Sequence, residues 1–253
     1  MLKLVIFVVA LGVGAQAIDW CQMQTTYCKG KEHIACEPNS FTDATNVRNV
    51  KLVTMTPEIQ KMIVDRHNEY RSKVALGKES GIPSATNMYA MKWDDNLAYV
   101  ASQHAKHAKM QHDQCRAFTD YPYSGQNLAS GSSSAPISDV TAAIKKHIDM
   151  WYNDEMPIVR DQMPSCTGKF TSSPNCLQAG HYTAVVHGDS GAVGCASVTF
   201  EQQISGNWWY SVMTTCNYEG NNMSNQPVYT AGTTCSGCAA AGRTCDAARG
   251  LCV

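Results

Sequence analysis

All 12 cysteines of this 253-residue chain lie between Cys21 and Cys252, and that even set constrains the fold more than any other feature. The chain opens with Lys3, an apolar run from Leu4 to Ala10 continued by Leu11 and Val13, and the small-residue end Ala15-Gln16-Ala17. That pattern predicts a secretory signal peptide over residues 1–17, cut before Ile18 and too short to span a bilayer. In the oxidising compartment it leads to, 12 cysteines read as six disulfides rather than as a metal cluster.

The cysteines fall in three groups, with none between Cys36 and Cys115. A packed central domain with a stapled extension at each end is expected. The last stretch, "CSGCAAAGRTCDAARGLC", holds little apolar bulk beyond alanine, so crosslinks must hold it together. Its Cys-x-x-Cys is read as two structural disulfides before zinc or redox chemistry. The length suffices for one substantial core. A formal net charge of -1 favours neither nucleic acid nor an anionic membrane as partner.

Helical signals come first along the chain. In "TPEIQKMIVDRHNEYRSKVALG" Thr56 caps, Pro57 suits the first turn and Gly77 stops the helix, with Ile59, Met62, Ile63, Tyr70 and Val74 on one face. Further helices are predicted over "DDNLAYVASQHAKHAKMQ" and "SDVTAAIKKHIDMWYNDE", and a Ser- and Gly-rich loop over "SGQNLASGSSSAP". After residue 180 the runs "HYTAVV", "VGCASVTF" and "NWWYSVMTTCNY" read as strands. The order predicts an α+β domain, with helices packed on an antiparallel sheet.

Gly188-Asp189-Ser190-Gly191 resembles the nucleophile loop of trypsin-like serine proteases. A serine nucleophile needs a histidine base and an orienting acid. No histidine here is followed by cysteine as in that family, and His67 sits in a predicted helix. A tight turn between two strands is the expected role of the motif.

Spaced segments carry a different resemblance: "HNEYR" in the first helix, "GQNLA" after the second, "GHYTAVV" followed by "VGCA", and "TTCNYEGNN". Together they resemble the CAP superfamily of cysteine-rich secretory, antigen five and pathogenesis-related proteins, over roughly residues 57–223. The flanks, an extension over 18–56 and a tail over 224–253, resemble insect antigen-five-like proteins of saliva or venom, especially those of flies. The resemblance implies a three-layer α-β-α sandwich. It also implies the bridges Cys21–Cys36, Cys28–Cys115 and Cys195–Cys216; Cys166–Cys176 then closes its own loop, and the last four pair as Cys235–Cys245 and Cys238–Cys252. Sequence alone fixes no connectivity.

Many CAP proteins face two histidines and two glutamates across a cleft. The matching positions are His112, His181, Glu155 and, in place of the second acid, Gln126. A glutamine supplies neither a general base nor a negative charge. The resemblance therefore implies no required cofactor and at best weak Zn²⁺ or Cu²⁺ binding, while the residues equally allow His112 and His181 to bond structural neighbours. His187 stands where the family usually has tryptophan. His104 and His107, at helical spacing, are expected on an exposed helix face. The sequon Asn222-Met223-Ser224 is the glycosylation candidate.

No nucleophile with a base, phosphate loop or cofactor fingerprint accompanies these motifs, so no enzymatic activity is expected. Two binding functions remain. By resemblance to sterol- and fatty-acid-binding relatives, Met62, Ile63, Tyr70, Ile144, Ile148 and Trp151 would wall an apolar channel for a fatty acid, eicosanoid or sterol; the same spacing also suits an ordinary core. Alternatively, loops such as "CTGKFTSSPNC" bind a host extracellular protein. There is no Arg-Gly-Asp for integrins, and a monomer is expected.

Overall fold

The structure is a computed structural model that describes residues 18–37, 40–162, 165–171 and 174–253. The predicted signal peptide lies outside the described residues. In chain order the elements are α1 (Trp20–Tyr27), β1 (Val47–Leu52), α2 (Pro57–Ala75), β2 (Lys92–Trp93), α3 (Asp95–Ala105), β3 (Gly125–Ser133), α4 (Val140–Asn153), α5 (Met156–Gln162), α6 (Ser165–Gly168), α7 (Pro174–Gln178), α8 (Gly180–Val185), β4 (Ala192–Ile204), β5 (Asn207–Tyr218), β6 (Cys245–Asp246) and β7 (Leu251–Cys252).

The sheet runs β1-β4-β5-β3, all antiparallel, with β2 added parallel to β4. Helix α3 packs on one face of β4 and β5, and α4 on the other with α2 and α8, which makes the three-layer α-β-α sandwich. Strand alternation explains the division. Ala196, Val198 and Phe200 of β4 join Ala101 and Ala105 of α3 and Met213 in one cluster. Val193 and Cys195 enter the larger core with Ile63, Tyr70, Ile144, Ile148 and Trp151. At Gly194 a Cβ would fall 2.2 Å from the amide nitrogen of Ala98, so glycine is what lets α3 lie against the sheet.

The helix caps follow the sequence: Thr56 opens α2, Asp94 opens α3 and Asp139 opens α4, each accepting from a backbone N–H. Helix α3 stops at Ala105 rather than near Gln111. His104 turns inward, 3% exposed, bonding Thr215 Oγ1 and the Gln111 carbonyl, and Ala108 takes φ 47°. His104 is thus a buried histidine and not part of an exposed face.

Two further expectations are corrected. The stretch expected as a loop after α3 is strand β3, paired residue by residue with β5 from Gly125↔Tyr218 to Ser133↔Tyr210. Its pairing is carried by the backbone, with Ser132 and Ser211 hydroxyls bonded at 2.9 Å, so it needs no β-branched residues. "HYTAVV", expected as a strand, is the short helix α8. Tyr182, Thr183, Ala184 and Val185 are all buried, which removes the apolar periodicity by which a helix is recognised.

The disulfides join Cys21–Cys36, Cys28–Cys115, Cys166–Cys176, Cys195–Cys216, Cys235–Cys245 and Cys238–Cys252. At the N-terminal side Trp20 stacks on His33 and Tyr99 and meets Phe118 edge-on. At the other end Leu251 is fully buried, and Cys252 exchanges backbone hydrogen bonds with Met88 and Ala90.

Burial pushes the imidazoles of His67, His147 and His187 down to about 4 from an ordinary 6.5. The unfolded chain therefore takes up these protons first as pH falls. Stability should be complete above about pH 6.5 and drop toward pH 4, by about 1.4 kcal/mol per pH unit for each histidine. Urea unfolding across this range checks the slope, and His147→Gln should make it shallower.

Candidate functional site

The "HNEYR" segment of α2 is an internal brace. His67 bonds the Ile63 carbonyl through Nδ1 and the Tyr218 hydroxyl through Nε2, while the Asn68 amide donates to the Met91 carbonyl and accepts from the Met91 amide. Arg71 is fully buried. Its Nε donates to the Tyr89 carbonyl, Nη1 to those of Val185 and His187, and Nη2 to those of Gly188 and Ser190. All five N–H groups of the guanidinium are thereby used.

That arrangement accounts for Gly188-Asp189-Ser190-Gly191. The segment is a turn between α8 and β4, not between two strands, and its carbonyls wrap the guanidinium. Ser190 is fully buried, and its hydroxyl accepts from the Gly220 amide at 3.1 Å. Among the described residues no histidine hydrogen-bonds this hydroxyl, so the resemblance to a protease loop does not extend to its chemistry.

Two of the motif histidines meet across an open cleft of about 360 Å³ lined by His112, Arg116, Gln126, Asn127, His181 and Asn222 among others. His112 Nδ1 bonds Gln126 Oε1 at 2.7 Å, and His181 Nδ1 bonds Glu155 Oε1. Glu155 Oε2 accepts from the Tyr182 amide at the start of α8. Glu155 and Gln126 thus stand behind the imidazoles, leaving Nε2 of each ring as its uncommitted nitrogen. The turn between α4 and α5 and strand β3 position the two partners, and the Cys28–Cys115 bridge anchors the segment carrying His112.

This donor set does not fit a firmly held divalent metal. It offers two imidazole nitrogens, and among the described residues no three His, Cys, Asp or Glu side chains are grouped to hold an ion. The motifs also left out Arg116, which lines the cleft, and Asp113, buried behind Gln126. Asp113, with a side chain 3% exposed, lies 2.9 Å from Arg116 Nε and accepts from Gln126 Nε2 at 2.7 Å. The pattern His112-Asp113-x-Cys115-Arg116 was the available signal, because a bridged cysteine fixes its neighbours in the same wall.

Apart from Trp151, whose ring stacks on that of His181, the proposed channel residues lie away from the cleft. Ile63, Tyr70, Ile144, Ile148 and Trp151 are buried in the main core, and half-buried Met62 packs against it. The seam between α2 and α4 is closed by stacked Tyr70 and Tyr152 rings 4.0 Å apart and by the Arg66–Asp149 ion pair.

The profile of the CAP, or cysteine-rich secretory protein, family matches residues 64–218. The chain belongs to this family. It is 36% identical over 171 residues to the antigen 5 like allergen Cul n 1 of Culicoides nubeculosus, covering 68% of this chain and 74% of that protein. It is 30% identical to venom allergen-1 of Aedes albopictus, over 89% and 84% of the two chains. Among solved CAP structures, Na-ASP-1 superposes with a TM-score of 0.61 at 28% identity over 79% of this chain and 48% of that one. NaASP2, whose crystal structure was determined with Zn²⁺, superposes with a TM-score of 0.61 at 23% identity, over 85% and 100% of the two chains.

Just beyond the matched residues, the sequon asparagine is occupied by the fold. Asn222 Nδ2 donates to the Gly180 carbonyl at 3.1 Å and to Thr183 Oγ1 at 2.8 Å. A glycan takes one of those two hydrogens. Peptide mapping of protein secreted from insect cells should find Asn222 unmodified, and a glycosylated majority would contradict this geometry.

Proposed function

We propose that this CAP protein is secreted into saliva or venom and acts without catalysis, by binding an extracellular protein of the host at the mouth of the cleft and the loops beside it. The supporting observation is where large apolar side chains are left in water. Leu177, 59% exposed, lines the histidine cleft, while Tyr123 and Met223, 54% and 39% exposed, line an adjoining cleft of about 340 Å³. Asn221 is common to both. Aromatic and Met side chains amid polar groups are enriched at recognition surfaces, and Leu177 adds exposed apolar area beside them. The names of the relatives, an antigen 5 like allergen and venom allergens, support a secreted product.

A fatty acid, eicosanoid or sterol between α2 and α4 fits this geometry less well, since it would have to part Tyr70 from Tyr152 and displace a filled core. Weak binding of Zn²⁺ or Cu²⁺ by the two imidazoles would be incidental to protein recognition.

Immobilised protein should capture a component of host plasma, and Leu177→Asp combined with Tyr123→Ala should abolish capture at an unchanged melting temperature. Absence of capture, together with an extractable adduct of lipid mass on native mass spectrometry, would move the function to the α2–α4 seam.

A further inference from the structure

The cleft keeps both histidines of a metal-binding arrangement, yet a single amide separates its two halves. His181 is backed by a carboxylate and His112 by Gln126. A carboxylate hydrogen-bonded behind a ligating imidazole raises its basicity, and losing such a partner typically costs about 10–100-fold in metal affinity. Replacing the amide by an acid would therefore look sufficient to complete the site.

Gln126 is 8% exposed, and all four of its hydrogen-bonding positions are used. Its Nε2 donates to Asp113 Oδ2 at 2.7 Å and to Asn217 Oδ1 at 3.1 Å. Its Oε1 accepts from His112 Nδ1 at 2.7 Å and from Arg116 Nη2 at 3.3 Å. A carboxylate here would turn an oxygen toward two other oxygens, one of them on a buried acid. With its side chain 3% exposed, Asp113 has little water to screen that repulsion. Asp113 cannot readily swing away, since Arg116 Nε holds it and the Cys28–Cys115 bridge fixes the segment.

We propose that Asp113, acting through Gln126, keeps divalent metal from being firmly held in this cleft, so that an acid at position 126 alone does not restore a metal site. Asp113 is a positioning residue. It fixes the amide's orientation, and the Arg116 guanidinium it pairs with already supplies a positive charge in the cleft wall. Removing the Asp113 charge lets an acid at 126 take over the ion pair with Arg116 while remaining behind His112.

The experiment is calorimetric titration of Zn²⁺ into the chelator-treated wild-type protein, Gln126→Glu and the double variant Gln126→Glu with Asp113→Asn, with melting temperatures for each. The expected result is that Gln126→Glu binds within about threefold of the wild type and melts lower, while the double variant binds about 10–100-fold tighter and recovers the melting temperature. Failure of Gln126→Glu to fold while the double variant folds would equally support the antagonism. Gln126→Glu binding as tightly as the double variant, or melting like the wild type, would overturn it. So would a double variant no tighter than the wild type.

Discussion

A guanidinium taken wholly out of water must find a partner for each of its five N–H groups, and Arg71 finds five backbone carbonyls. Among the described residues no carboxylate hydrogen-bonds it; burial lowers its pKa to about 9, which leaves it charged at neutral pH, and Asp189 and Glu219 offset part of the charge from a distance. One side chain of α2 therefore dictates the path of the chain from Val185 to Ser190 and of Tyr89 before β2. The turn has to be tight enough to present several carbonyls to one group. At Gly188 a Cβ would come within 3.0 Å of both Asn87 and Tyr229, so the glycine is set by this closeness.

A second polar line runs from the same helix to the cleft. His67 bonds the Tyr218 hydroxyl, which also accepts from Asn127, and Asn127 donates in turn to the His181 carbonyl. Helix α2, strands β5 and β3 and helix α8 are tied through it. A desolvated network of this kind rigidifies a core when every member is satisfied. Residues whose types suggest catalysis, among them His67 and Ser190, are consumed in holding the elements together. Leu177, Tyr123 and the uncommitted nitrogens of His112 and His181 are left at the surface and in the clefts.

Capping chemistry and 3.6-residue periodicity are local, so α2 and α3 could be read from Thr56 and Asp94 and the apolar faces that follow, and α4 from its apolar face alone. Strand β3 could not, because its serines and glycines join the sheet through partners 77 to 93 residues away in sequence (Ser133↔Tyr210 to Gly125↔Tyr218) and carry no strand propensity of their own. Helix α8 was hidden for the opposite reason: with Tyr182, Thr183, Ala184, Val185 and Val186 all buried, "HYTAVV" shows no helical period. At the cleft, His112, His181 and Gln126 were legible from their motifs. The role of Arg71 was not, since it depends on which carbonyls the fold brings to it, and Asp113 was signalled only by its place beside the bridged Cys115.

The most direct measurement of this account is the unfolding free energy of Arg71→Lys. Lysine keeps the charge but offers three donors on a flexible stem, so at least two carbonyls lose their partner. Hydrogen bonds to a charged group contribute about 1.5–3 kcal/mol each, which predicts a loss of about 3 kcal/mol or more in urea unfolding. A variant within about 0.5 kcal/mol of the wild type, the usual scatter of an unimportant substitution, would contradict the view that the fold is organised around this guanidinium.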